Sequence, residues 1–138
     1  YDNMEKPPID DKWILSICKT ILNDNSHDEA SITFVFSNDS KLRKLKKKYF
    51  RKDVFTDTIS FNLEEKDDPI EGEVYISLDR VSENANIFKQ DFITECKRVI
   101  IHSCLHLLGY NDELPKDKTK MTELEERYLS STINTNQI

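Results

Sequence analysis

Two histidines carry the strongest chemical signal in this chain. His102 and His106 stand four residues apart in the run I-H-S-C-L-H-L-L-G-Y-N-D, Ile101 to Asp112. The neighbouring residues are apolar, and a helix stacks residues i and i+4 on one face, so both imidazoles point the same way. Gly109 follows, a residue that ends a helix in the left-handed conformation without steric cost. The turn Gly109-Tyr110-Asn111 can then bring Asp112 back toward the pair. Two neutral imidazoles and a carboxylate make a three-ligand metal set with one position left open for water.

An i,i+4 histidine pair on a buried helix could equally be two core residues with satisfied nitrogens. The glycine and the carboxylate downstream favour the metal. The order His, His at +4, Gly at +7 and ligand at +10 is also the spacing of metzincin proteases. Those enzymes place a glutamate directly after the first histidine as general base. Ser103 holds that position here and cannot do that work at neutral pH, which disfavours a protease.

Elements that could position these groups follow from the periodicity. Residues 10–23 read as a helix with Trp13, Ile14, Ile17, Cys18, Ile21 and Leu22 inward and Asp10 or Asp11 as N-cap. Residues 30–37 are β-branched and aromatic and read as a strand. Asn38 or Ser40 caps a helix to about Phe50, with Leu42, Leu45 and Tyr49 on its apolar stripe. The segment 57–63 alternates Thr58, Ser60 and Asn62 against Ile59, Phe61 and Leu63, a strand with one buried face. An acidic loop then leads to Gly72 and a strand over 73–78, a possible hairpin neighbour of the previous one. Asp79 is the expected N-cap of a helix to about Lys89, with Val81, Ala85 and Phe88 inward. Asp91 caps a long apolar helix, Phe92 to Leu108, in which Ile93 is among the residues expected inside. Pro115 opens a last helix to about Leu129, and the polar segment after it, about 130–138, is expected to be a flexible tail. The order implies a single α+β domain over 1–138, a mixed sheet of about four strands covered by helices, with the metal site at the end of a buried helix.

Composition narrows the partners. The chain has 138 residues, enough for a core without metal or disulfide staples, and a formal net charge of −6. No apolar run approaches the ~20 residues that span a bilayer, and no signal-peptide apolar region is visible, so no membrane is expected. Cys18, Cys96 and Cys104 form no C-x-x-C and are odd in number, which predicts reduced, buried thiols in the cytoplasm. The acidic average hides a basic segment: eight of the twelve residues from Lys41 to Lys52 are lysine or arginine. Positive charge gathered in one place is suited to a polyanion, although a solvated helix face would look the same.

The chain also resembles a known family. H-S-C-L-H-L-L-G-Y-N-D is similar to the H-G-x-L-H-L-x-G-Y-D-H signature of the YbeY endoribonucleases, bacterial ribosomal-RNA maturation factors. Tyr49 to Phe61, Y-F-R-K-D-V-F-T-D-T-I-S-F, resembles that family's Y-R-x-x-D-x-x-T-D-V-L-S-F, and Gly72 to Ser77 resembles its G-D-I-x-I-S strand. The three motifs are co-linear and cover about Tyr49 to Glu126. The resemblance implies one zinc ion per chain on His102, His106 and Asp112, and an arginine important for activity, read here as Arg51. Lys47, Lys48 and Lys52 flank it and are candidates, with Arg51, for tracking an RNA backbone. Thr56, Asp57 and Ser60 are read as structural, shaping the floor of the site. Tyr110 and Asn111 are candidate supports for the metal ligands.

The departures from the pattern are specific. Asp112 stands where the family has its third histidine, Asn111 where it has Asp, Ser103 where it has Gly, and Glu73 replaces an Asp. An aspartate ligates zinc, but it lowers the charge of the metal unit by one, so bound water is acidified less. It also hardens the site and widens its tolerance toward manganese or cobalt. The resemblance implies a metal-dependent endoribonuclease that prefers single strands and processes small-subunit ribosomal RNA. Its expected partners are that RNA, the small ribosomal subunit and its assembly factors, with no DNA. The alternative from a different class is a non-catalytic RNA-binding assembly factor with a structural metal; the third, disfavoured by Ser103, is a small zinc metalloprotease.

Overall fold

The structure, a computed structural model, describes residues 9–136 except 28, 53–55, 66 and 112, with side chains described to 130. Helix α1 (Asp11–Asp24) opens the described chain, capped by the Asp10 carboxylate, which accepts from the Lys12 N–H. Strand β1 (Ala30–Ser37) follows, then helix α2 (Asp39–Phe50), whose N-cap is Asn38. Strands β2 (Thr58–Asn62) and β3 (Ile70–Ser77) come next. Helices α3 (Leu78–Ile87), α4 (Phe92–Leu107) and α5 (Pro115–Asn136) complete the order.

The sheet runs β1-β3-β2, with β1 parallel and β2 antiparallel to β3. It is mixed, as the sequence implied, but among the described residues it has three strands instead of about four. Only three segments have strand chemistry; the remaining described apolar runs repeat at helical spacing. Helix α4 lies at the centre of the core: Cys96, Ile100, Ile101, Cys104 and Leu105 are fully buried, beside Ile21 of α1, Val74 and Ile76 of β3 and Val81 of α3. Gly72 permits this closeness. A Cβ there would lie 2.8 Å from Leu107 Cδ1, so the glycine lets the C-terminal end of α4 settle on β3. Among the described residues no helix is long and apolar enough to cross a membrane.

Several boundaries and facings differ from the expected ones. Ser77, not Asp79, caps α3, because β3 runs directly into the helix and the Ser77 hydroxyl is already in place to accept from the Arg80 N–H. Helix α5 continues to Asn136, past the break expected near Leu129, since a polar stretch without Pro or Gly contains nothing that must stop a helix. Leu63, Phe88, Ile93 and Tyr49, all expected inside, are exposed. Each lies at or near the end of its element, where periodicity continues but the neighbouring layer does not.

Candidate functional site

Helix α4 ends in a hydrogen-bonded stop that also shapes the histidine pair. The Tyr110 N–H donates to the Leu105 carbonyl (3.2 Å) and the Gly109 N–H to the His106 carbonyl (3.0 Å). This is the Schellman pattern, and it requires the left-handed φ of +104° that Gly109 adopts. Closing the turn brings the Tyr110 carbonyl to 3.1 Å from His106 Nδ1. A carbonyl only accepts, so Nδ1 of His106 carries the proton and Nε2 is the basic nitrogen. The contact of Tyr110 with His106 comes from its backbone, and its phenol donates to Asn25 Oδ1. Asn62 closes the same helix end from β2, its amide donating to the Leu107 carbonyl at 2.9 Å.

His102, one turn earlier, is held from the other side. Its Nδ1 lies 2.7 Å from Glu125 Oε2, on α5. A carboxylate holds the proton on Nδ1 and makes Nε2 more electron-rich. The two rings are nearly parallel, 8° apart in plane, with centroids 6.2 Å apart. Both imidazoles therefore have the same tautomer, fixed by a partner on Nδ1, the arrangement metal-binding histidines typically show.

Charge around the pair is mostly negative. Arg98 sits among three carboxylates: Glu126 at 2.6 Å, Glu125 at 3.5 Å and Glu95 at 3.6 Å. Burial works against the charge of Arg98, yet its hydrogen bond to Glu126 and the attraction of all three carboxylates hold its pKa above the ordinary value. Burial raises the Glu95 carboxyl, with Arg98 opposing it. Asp57, at the entrance of β2, is also raised by burial, and the charge of His102 opposes that shift. Several carboxylates around one arginine, beside two electron-rich imidazoles, suit a divalent cation better than an anion.

Asp112, the expected third ligand, lies outside the described residues. Among the described residues no group of three or more His, Cys, Asp or Glu gathers where it could hold a metal. Ser103 is fully buried; its hydroxyl donates to the Val99 carbonyl (2.8 Å) and lies 2.9 Å from Thr58 Oγ1. A hydroxyl spent in this way ties α4 to β2 and offers no base at the position where a metzincin carries its glutamate. The polar face of β2 is thus turned toward α4, with Thr58 and Asn62 bonded to it.

Arg51 terminates α2 in the left-handed conformation (φ 56°), exposed beside Lys47, Lys48 and Lys52, all exposed as well. In strict register, Tyr49 to Asp53 on Y-R-x-x-D, the motif's arginine falls on Phe50. Arg51 offers its guanidinium one residue later, beyond the helix end.

Glu125 had no part in the sequence reading. Its only sequence signal is a carboxylate on the Met121, Leu124, Tyr128 side of a helix, where burial needs a partner. If the histidine pair holds a metal, Glu125→Gln should keep an acceptor on Nδ1 while removing the charge, weakening metal binding roughly 10-fold, and Glu125→Ala should weaken it by up to about 100-fold. Competition against a chromophoric chelator measures both, and unchanged affinity in the alanine variant would show that the contact is only structural.

Comparison with known proteins gives the class, a hydrolase acting on RNA. The model of the endoribonuclease YbeY family matches residues 2–133. Curated relatives include endoribonuclease YbeY of Chlorobium luteolum, 39% identical over 127 residues and covering 92% of each chain. That of Amoebophilus asiaticus is 37% identical, covering 91% of this chain and 83% of its own. The solution structure of TM1509 from Thermotoga maritima superposes with a TM-score of 0.63 at 24% identity, covering 98% of this chain and 91% of that one. The chain belongs to the endoribonuclease YbeY family.

Proposed function

We propose that this chain is a zinc-dependent endoribonuclease that cuts single-stranded RNA during ribosomal-RNA maturation, in small-subunit processing and ribosome quality control. The observation that carries this reading is the paired Nδ1 tethering of His102 and His106 within an endoribonuclease family. His102 and His106 would hold the metal through Nε2, with Asp112 as third ligand. When bound, the cation supplies either an activated water or a polarised phosphate oxygen. Arg51 binds the phosphodiester and neutralises charge that develops on it, and Lys47, Lys48 and Lys52 follow the backbone on either side. Its working partners are ribosomal RNA, the small subunit and the factors bound there. The cytoplasm fits three buried cysteines that are all free.

The test is cleavage of a ribosomal-RNA fragment with unpaired loops. Cleavage should stop with chelator and return with zinc, and manganese or cobalt should restore part of it. RNA bound but left intact in the presence of zinc would defeat the nuclease reading. For the third ligand, Asp112→Ala should lower bound zinc well below one per chain; equal metal content and activity in wild type and variant would exclude Asp112.

A further inference from the structure

At the C-terminal end of α2, aromatic rings meet solvent although the rest of the helix surface is lysine-rich. Tyr49 is 56% exposed and Phe50 42% exposed. Both rest on Phe61 of β2: Tyr49 edge-on with centroids 5.3 Å apart, Phe50 stacked at 5.9 Å and 27°. Phe61 in turn meets Tyr75 of β3 edge-on at 6.0 Å. The rings are therefore backed by the sheet while their outer surfaces remain open. Amines attend them: Lys46 Nζ lies 4.5 Å from the centre of Phe50 and Lys48 Nζ 5.1 Å from that of Tyr49.

Core packing does not require this arrangement. Leu42 is the only buried residue of α2. Exposed rings interleaved with lysines match one polymer, a strand of negative phosphates carrying unpaired π-faces. A protein partner would gain little from the amines. A duplex would hide its bases, and an A-form major groove is too narrow for side chains to read.

We infer that Tyr49 and Phe50, backed by Phe61, form a base-stacking platform for single-stranded RNA. The inference rests on the proposed RNA substrate and explains why that substrate would be single-stranded. Its location serves the site. Phe61 faces α2, while Thr58 of the same strand bonds Ser103 beside His102. The two side chains leave opposite faces of β2, an edge strand, with a rise of roughly 10 Å between them along it, so an RNA strand held on the platform would pass round that edge to reach the histidine pair. Lys46 and Lys48, now over the rings, would move onto the phosphates as bases take their place.

The experiment titrates the full zinc-loaded chain with a fluorescent twelve-nucleotide 2′-O-methyl RNA, its integrity checked afterwards by gel. Tyr49→Leu and Phe50→Leu should each weaken binding roughly 5- to 100-fold, the size of one stacked base, with the salt dependence unchanged. Lys46→Gln and Lys48→Gln should each lower the salt slope by about 0.7. An oligonucleotide with a central abasic tract should bind wild type more weakly, yet bind the Tyr49→Leu/Phe50→Leu double variant no worse than the intact strand. Phe50→Trp should retain full affinity, which controls for folding. If the leucine variants bind like wild type, or abasic and intact strands bind wild type equally, the platform is refuted while the nuclease reading stands on wild-type cleavage. If wild type neither binds nor cleaves RNA, the nuclease reading fails and the platform with it.

Discussion

His106→Ala is expected to abolish zinc binding and RNA cleavage while leaving the fold nearly intact. The ring is exposed at the last turn of α4, and among the described residues its hydrogen bond is to the Tyr110 carbonyl. Losing a solvent-accessible bond of this kind costs about 1 kcal/mol, and alanine returns part of that through helix propensity. Metal binding should respond far more strongly. Removing a ligand should exceed the roughly 10- to 100-fold that removing an outer partner costs. The contrast is measurable in one thermal-unfolding series. At zinc 100-fold above its dissociation constant, wild type should gain about 2.7 kcal/mol, and the variant nothing. A variant that keeps the zinc-induced rise in Tm would mean that His106 does not bind the metal.

The legible part of this site is its local part. A histidine pair at i,i+4, a glycine three residues later and an apolar helix are all within one stretch of chain, and the structure assembles them as that stretch implies. The Asp10, Asn38 and Asp91 caps were legible for the same reason, each being a side chain bonding a backbone two or three residues away. What remained hidden is long-range. Glu125 reaches His102 across 23 residues of sequence, and Thr58 reaches Ser103 across 45. No periodicity encodes such pairings.

Alternation in β2 marks two faces but not which of them meets the helix layer. Ile59 and Phe61 do share a face, but the opposite face, Thr58 and Asn62, is bonded to α4. A polar strand face is ordinarily the wet one. Here the helix ends beside it with carbonyls to satisfy, and the asparagine amide satisfies one of them. Tyr49 illustrates the converse: it holds the helical spacing of a core residue, yet the core ends before it. Element ends are where periodicity stops predicting burial, and both the stacking surface and the histidine pair occupy such ends.

Arg51→Gly should make the protein more stable and much less active. A non-glycine residue at φ 56° carries strain of roughly 1 kcal/mol, which glycine removes at some cost in unfolded-state entropy. The expected gain is therefore small, up to about 1 kcal/mol, read as a rise in Tm of a few degrees. Cleavage should fall by roughly 100- to 1,000-fold, the usual loss when a group aimed at developing charge is deleted. Arg51→Lys separates charge from geometry, because lysine keeps the positive charge but cannot grip a phosphate with two parallel N–H groups. It should recover binding of RNA more fully than it recovers the cleavage rate. Bound zinc should be the same in all three proteins. A stable, zinc-loaded Arg51→Gly that still cuts at the wild-type rate would remove Arg51 from the reaction, and would leave its left-handed conformation a strain without a catalytic return.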